Sequence, residues 1–305
     1  MLDQMKIKNL TNILVCLFSR KYATKAELVR YTGLSNSTVS SAVNSLLKLG
    51  LLVCVGMQDS IGGRRSVIYR LNKEYGHFIG IDLNGGSADL VVTDCENNSV
   101  YKVTQKIESD TPVIHQLNAL IESMLSSFPK VLGIGIGLSG EIEFERQIVV
   151  QCGEFGWQHV PLKEIVERRF MIFTYIDHRV NGAAVREGLI GQAARMCNYL
   201  CIYESCEEKS ALILNGNVCR GEKNRTGLMP LVSTFFTAAD MFFQFLDISK
   251  VFIGYSTEKF KIEAKNAVSS FKERLCFFPE PESVFALGMA AAAEKEWFQS
   301  IYFRL

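Results

Sequence analysis

The chain has 305 residues, 48% of them hydrophobic, and 33 Lys and Arg against 32 Asp and Glu, for a net charge of +1. That length suits two or three folding units, and that composition excludes a disordered chain. No apolar run approaches the roughly 20 residues of a membrane-spanning helix, and Met1 to Lys6 lack a signal-peptide layout, so a cytoplasmic protein with no membrane partner is expected.

Nine cysteines and four histidines are scattered, with no Cys-x-x-Cys pair, so neither a disulfide framework nor a metal site is expected. The near-zero charge hides an asymmetry. Residues 1–75 hold eleven Lys or Arg against four Asp or Glu, and the remainder holds 22 against 28. A basic head on an acidic body points to a polyanion-binding module at the front.

In that head, Ile7, Leu10, Ile13, Leu14, Leu17 and Phe18 recur at helical spacing and predict a first helix. Thr24 followed by Glu27 is a capping-box pattern for a second. Gly33 suits a tight inter-helix turn, and Ser35 suits the cap of a third helix over Asn36 to Leu49. On that helix Val39, Val43, Leu46 and Leu47 would pack inward, while Ser37, Ser41, Asn44 and Lys48 form a polar stripe with Asn36, Thr38 and Ser40 near its start. Hydroxyl and amide side chains there suit base edges and phosphates in a major groove; an ordinary solvated face is the bland alternative. Two strands, Leu51 to Val55 and Ser66 to Leu71, flank a polar loop whose tip, Gly62-Gly-Arg-Arg65, offers Arg64 and Arg65 to phosphates or a minor groove. The expected DNA-contacting set is Lys25, Ser35, Asn36, Ser37, Thr38, Ser41, Asn44, Lys48, Arg64 and Arg65.

Beyond the head, strands are expected at Phe78 to Leu83, Ala88 to Asp94, Val100 to Ile107 and Val131 to Leu138, with a helix near Pro112 to Phe128. Then come a helix at 161–169, a strand at 171–177, a helix at 180–193 and strands within 198–216. Helices and one strand complete the chain. Strand clusters alternating with helices argue for an α/β body.

From Lys25-Ala-Glu-Leu to the Gly-Gly-Arg-Arg loop, Ile79-Gly-Ile-Asp-Leu-Asn-Gly-Gly86, Leu132-Gly-Ile-Gly-Ile-Gly-Leu-Ser-Gly140, Gly156-Trp-Gln-His-Val-Pro-Leu162, Asn181-Gly-Ala-Ala-Val-Arg-Glu-Gly188 and Ile213-Leu-Asn-Gly216, the sequence resembles the ROK family of repressors, open reading frames and kinases. The resemblance implies an N-terminal winged helix-turn-helix over 1–75 and a two-lobed, actin-like, ribonuclease-H-like sugar-kinase-type domain over 76–305. The lobes would divide near 177.

Departures from the family pattern imply lost catalysis. The family's catalytic aspartate falls at Arg179, which stays protonated and cannot act as a general base. The first phosphate loop keeps Asp82, Gly85 and Gly86 but not its threonine. The second carries Glu207 and Glu208 instead of glycines, and the sugar-gripping Glu and His become Leu228 and Leu231. No bound cofactor is therefore expected. Asp82, Gly85, Gly86, Gly140, Asp177, His178, Arg179 and Asn181 are candidates for a remodelled effector cleft; Asp82, Asp177, His178 and Arg179 could equally serve as structural partners, and the glycines as turn residues. A non-enzymatic, repressor-type regulator of carbohydrate-related genes, binding a duplex operator as a homodimer, is the leading expectation; the effector is left open, a sugar derivative being one candidate and a usual hexose being disfavoured. The alternatives are an active sugar kinase with a DNA-binding head, or a DNA-binding protein whose body serves only protein interaction.

Overall fold

The first apolar stripe folds as α1 (Leu2–Arg20) in the computed structural model, which describes residues 2–58, 65–206, 210–226, 243, 245–267 and 272–300. Ile13, Leu14 and Leu17 have no exposed surface, each burial being worth about 1.5–3 kcal/mol. The capping box forms as expected: the Thr24 amide donates to Glu27 Oε2 at 2.8 Å and the Glu27 amide to Thr24 Oγ1 at 3.3 Å, opening α2 (Lys25–Thr32). Gly33 ends α2 at φ 69°, and Ser35 caps α3 (Asn36–Lys48) by accepting from the Thr38 amide at 3.2 Å. Beside the helices, β1 (Ala23–Thr24), β2 (Leu52–Gln58) and β3 (Ser66–Leu71) form a sheet in the order β1-β3-β2. Of the two strands expected here, Ser66 to Leu71 forms as expected and Leu51 to Val55 was too short, since β2 runs on to Gln58. A bulge between Cys54 and Gly56 shifts the register, after which pairing resumes to Gln58 opposite Ser66. Gly62, Gly63 and Arg64 lie outside the described residues.

The first half of the body is a five-stranded sheet ordered β11-β7-β4-β5-β6, from β4 (His77–Asn84), β5 (Ser87–Asp94), β6 (Ser99–Lys106), β7 (Val131–Leu138) and β11 (Phe173–His178). β4 pairs antiparallel with β5 and parallel with β7, and α4 (Val113–Ser127) and α5 (Leu162–Phe170) contribute to its apolar core. A small sheet of β8 (Glu141–Glu143), β9 (Ile148–Cys152) and β10 (Trp157–Val160) was not anticipated.

The second half holds β12 (Tyr199–Tyr203), β13 (Ser210–Leu214), β14 (Asn217–Val218), β15 (Lys250–Tyr255) and β16 (Leu275–Pro279), ordered β14-β13-β12-β15-β16. Two strands, β15 and β16, thus stand in the last part where one was expected. α6 (Arg179–Ile190) ends three residues early, because Gly191 leaves the helix with extended backbone. α7 (Glu258–Ala267) and α8 (Val284–Ser300) complete the described elements.

α8 ties these parts together. It carries Gly288 and a run of alanines, and it is apolar nearly all round because it is buried nearly all round. A Cβ on Gly80 would sit 1.9 Å from the Ala286 carbonyl oxygen, and one on Gly135 2.1 Å from that of Met289. The helix therefore lies directly on the backbone of β4 and β7. At its other end Phe18 of α1 meets Phe298 edge-on at 6.1 Å, and Thr11 Oγ1 donates to the Phe298 carbonyl at 3.1 Å. Leu10, Ile13 and Leu14 consequently share one apolar cluster with Met289, Trp297 and Phe298.

One buried carboxyl on α8 conflicts with that apolar setting. Glu294 has no exposed surface, and neither of its oxygens has a hydrogen-bond partner among the described residues. Burial, reinforced by the Asp94 carboxylate, pushes its carboxyl well above the usual range. The folded chain thus holds a proton that the unfolded chain releases, and the penalty grows as pH rises above the ordinary value. Glu294→Met is expected to raise stability at pH 7 by about 1–3 kcal/mol in urea unfolding. An unchanged or lower midpoint would contradict this.

Candidate nucleic-acid interface and buried ion pairs

The inward and outward faces of α3 separate cleanly. Val39, Ala42, Val43 and Leu46 are buried, whereas Asn36, Ser37, Ser41, Asn44 and Lys48 are exposed. Thr38 is half-buried, its hydroxyl 2.9 Å from Ser35 Oγ, and Ser35 Oγ also lies 2.9 Å from Ser37 Oγ. Lys25, at the start of α2, reaches the same face, with Nζ 3.4 Å from Asn44 Oδ1. Arg65 is exposed just before β3. Lys25, Ser35, Asn36, Ser37, Thr38, Ser41, Asn44 and Lys48 therefore occur together around one helix, presenting hydroxyls, amides and ammonium groups away from the core. Such groups can bond base edges and phosphate oxygens.

The body offers two closed ion pairs in place of an open set of polar groups. Asp82, at the end of β4, is 3% exposed and is bonded by the Arg179 guanidinium, itself 7% exposed at the start of α6. Arg179 Cζ also stands 4.4 Å from the centroid of the Phe285 ring. Burial raises the Asp82 carboxyl to about 7 against the pull of Arg179, with Asp89 and Glu154 adding to the rise. Asp177, 1% exposed at the end of β11, faces Arg220 through two bonds, Nη1 to Oδ1 at 3.0 Å and Nη2 to Oδ2 at 2.8 Å. It also accepts from the Tyr175 hydroxyl, the His178 amide and Asn181 Nδ2. Burial opposes its charge, but Arg220 prevails and holds the carboxyl below its usual range. His178 is fully buried at the junction of β11 and α6.

Sequence reasoning missed Arg220, which is 43 residues from its partner in the chain; only an unassigned arginine before Gly221 signalled it. It also missed Glu154. A Cβ on Gly85 would lie 3.4 Å from the Glu154 carboxyl carbon, so the glycine turn that would approach a phosphate faces a carboxylate. Gly86 is unobstructed. Gly140, at φ 124°, is required because a Cβ there would meet the Gln151 carbonyl at 2.4 Å. Glu207, Glu208, Leu228 and Leu231 lie outside the described residues. Among the described residues no His, Cys, Asp and Glu group is arranged to hold a metal ion, and no helix is long and apolar enough to cross a membrane.

Comparison with known proteins connects these features. A xylose repressor of Bacillus subtilis (strain 168) is 30% identical over 212 residues, covering 68% of this chain and 55% of the repressor, so the chain spans little more than half that relative's length. Among solved structures, a ROK family transcriptional regulator homologous to the E. coli Mlc protein superposes with a TM-score of 0.73 over 98% of both chains at 14% identity. A ROK family glucokinase from Streptomyces griseus, solved with glucose and AMPPNP, superposes with a TM-score of 0.58 over 72% of this chain and all of its own, also at 14% identity. The body thus has the mixed α/β, actin-like, sugar-kinase-type fold, and residues 78–229 match the ROK family directly. The chain belongs to the ROK family.

Proposed function

We propose that the chain is a DNA-binding transcriptional regulator of repressor type, acting on carbohydrate-related genes, with a body that does not transfer phosphate. The observation that carries this reading is the capped helix α3, whose inner face is sealed in the core while Asn36, Ser37, Ser41, Asn44 and Lys48 stand exposed. With the β2–β3 hairpin beside it, residues 1–75 form a winged helix-turn-helix, and 76–305 form the kinase-like body. The kinship with a xylose repressor supports the sugar connection. A homodimer on a pseudo-palindromic operator is the arrangement such a head requires, since one small reading head seldom supplies enough specificity.

For the body, the paired state of Arg179 and Asp82 argues against catalysis. The side chain in the general-base position is a cation already engaged by a carboxylate, and it can take no proton from a sugar hydroxyl. An ADP-release assay across hexoses is expected to show no turnover.

DNA binding is tested by fluorescence anisotropy on fragments from the chain's own operon. Saturable, salt-dependent binding is expected. Lys48→Ala and Arg65→Ala should each weaken it about tenfold and reduce the slope of log K against log salt by about 1. Binding that is absent, or indifferent to salt, would overturn the reading.

A further inference from the structure

A cavity of about 620 Å³ lies where the head meets the body. The head lines it with α1 and the end of α2, and the body with α6, the segment after α6, the β13–β14 turn and α8. Its volume falls within the range of small-molecule sites, on the order of 300–1,000 Å³. It lies apart from Asp82 and Arg179, which do not line it.

The lining has a one-sided charge. Among the described residues Arg20, Arg195 and Lys295 border the cavity, and no Asp or Glu does. None of the three forms a salt bridge among the described residues, although nine other Lys or Arg side chains do so elsewhere. Arg20 is pre-positioned, with Cζ 3.3 Å from the centroid of the Tyr31 ring. Lys295 is held by donation from Nζ to the Gly216 carbonyl at 3.2 Å, and burial lowers its ammonium against the pull of Glu296, so an anion in the cavity would add to that pull. Asn12 and Asn215 line the same space. Amide side chains both donate and accept, which suits hydroxyl groups.

We propose that this head–body cavity binds a small anion bearing several hydroxyl groups, of the class of phosphorylated or carboxylated sugars, through Arg20, Arg195 and Lys295. The anionic group lies toward the three cations and the hydroxyls toward Asn12 and Asn215. A bare inorganic anion would leave most of the volume and both amides unused. Because α1 and α2 supply one side and the body the other, a bound ligand touches both at once.

Calorimetric titration of the full chain without DNA tests the site independently of what the head does. Glucose 6-phosphate and gluconate distinguish phosphate from carboxylate, glucose reports the hydroxyls alone, and inorganic phosphate reports the charge alone. Saturable binding of at least one hydroxylated anion is expected, with glucose and inorganic phosphate at least about tenfold weaker. Arg195→Gln, at an exposed position, should weaken binding about tenfold without affecting the circular dichroism spectrum, and Lys295→Met should do the same if it folds. The proposal is overturned if neither sugar anion saturates below about 10 mM, if glucose or phosphate binds as tightly, or if Arg195→Gln binds like the wild type.

Discussion

Valine in place of Gly288 is expected to destabilise the chain by on the order of 4 kcal/mol or more, enough to leave little folded protein. A Cβ at 288 would lie 2.3 Å from the Ala183 amide nitrogen and 2.5 Å from both Ala183 Cα and the Gly182 carbonyl carbon. All three are backbone atoms of α6, so no side-chain rotation can make room. Separating α6 from α8 would also lift α8 from Gly80 and Gly135, and so disturb the sheet at β4 and β7. Gly86 is the control, because a Cβ there meets nothing within 4 Å; Gly86→Ala should unfold within a few tenths of a kcal/mol of the wild type. Urea unfolding followed by circular dichroism compares the two. A Gly288→Val protein that unfolds at the wild-type midpoint would refute this account of the helix crossing.

Removing the guanidinium from the Asp82 pair should destabilise the chain by an amount that depends on pH. In the wild type the Asp82 carboxyl is raised from an ordinary 3.8 to about 7. The folded chain therefore retains a proton that the unfolded chain releases, and this group's contribution to stability falls between pH 3.8 and about 7, then levels. Arg179→Met removes the charge that opposes the rise, so the carboxyl moves higher and the falling limb extends beyond pH 7. Near pH 5 both proteins carry a protonated Asp82 and should differ little. The gap opens above pH 7 and widens by at most about 1.4 kcal/mol per pH unit, so that at pH 9 the variant is expected to be less stable by about 2–3 kcal/mol. Arg179→Met combined with Asp82→Leu should recover most of the loss, since a matched apolar pair can replace a buried ion pair. A deficit constant from pH 5 to 9 would show that Asp82 is not the group responsible.

The head was legible because its signals are local. Thr24 with Glu27, Gly33 and Ser35 each act within a few residues, and the structure forms both caps and the turn between them. The same holds for β4, β5 and β7, whose runs are long and apolar enough to identify as strands. The small sheet escaped detection because β8, β9 and β10 have three to five residues each, with Gly140 just before β8 and Gly153 and Gly156 between β9 and β10 interrupting any alternation. β16 escaped because Cys276, Phe277 and Phe278 follow a charged stretch and pair with β15 only across an intervening helix.

The two ion pairs divide along the same line. Arg179 was identified as the wrong residue for a general base from its place in the motif, but its bond to Asp82 spans 97 residues and no local pattern encodes it. Arg220 stood outside every motif and joins Asp177 only through the folded chain. The cations of the head–body cavity come from α1, the segment after α6, and α8. Three-dimensional closure, not sequence spacing, creates that site.

The packing of Phe18 and Thr11 against Phe298 limits how interchangeable the front of this protein is. A chimaera joining residues 1–75 to a foreign body would strand aromatic surface on both sides of the seam, and a reporter built that way would misjudge the reading head. Graft design has to carry Trp297 and Phe298 along with the helix they greet.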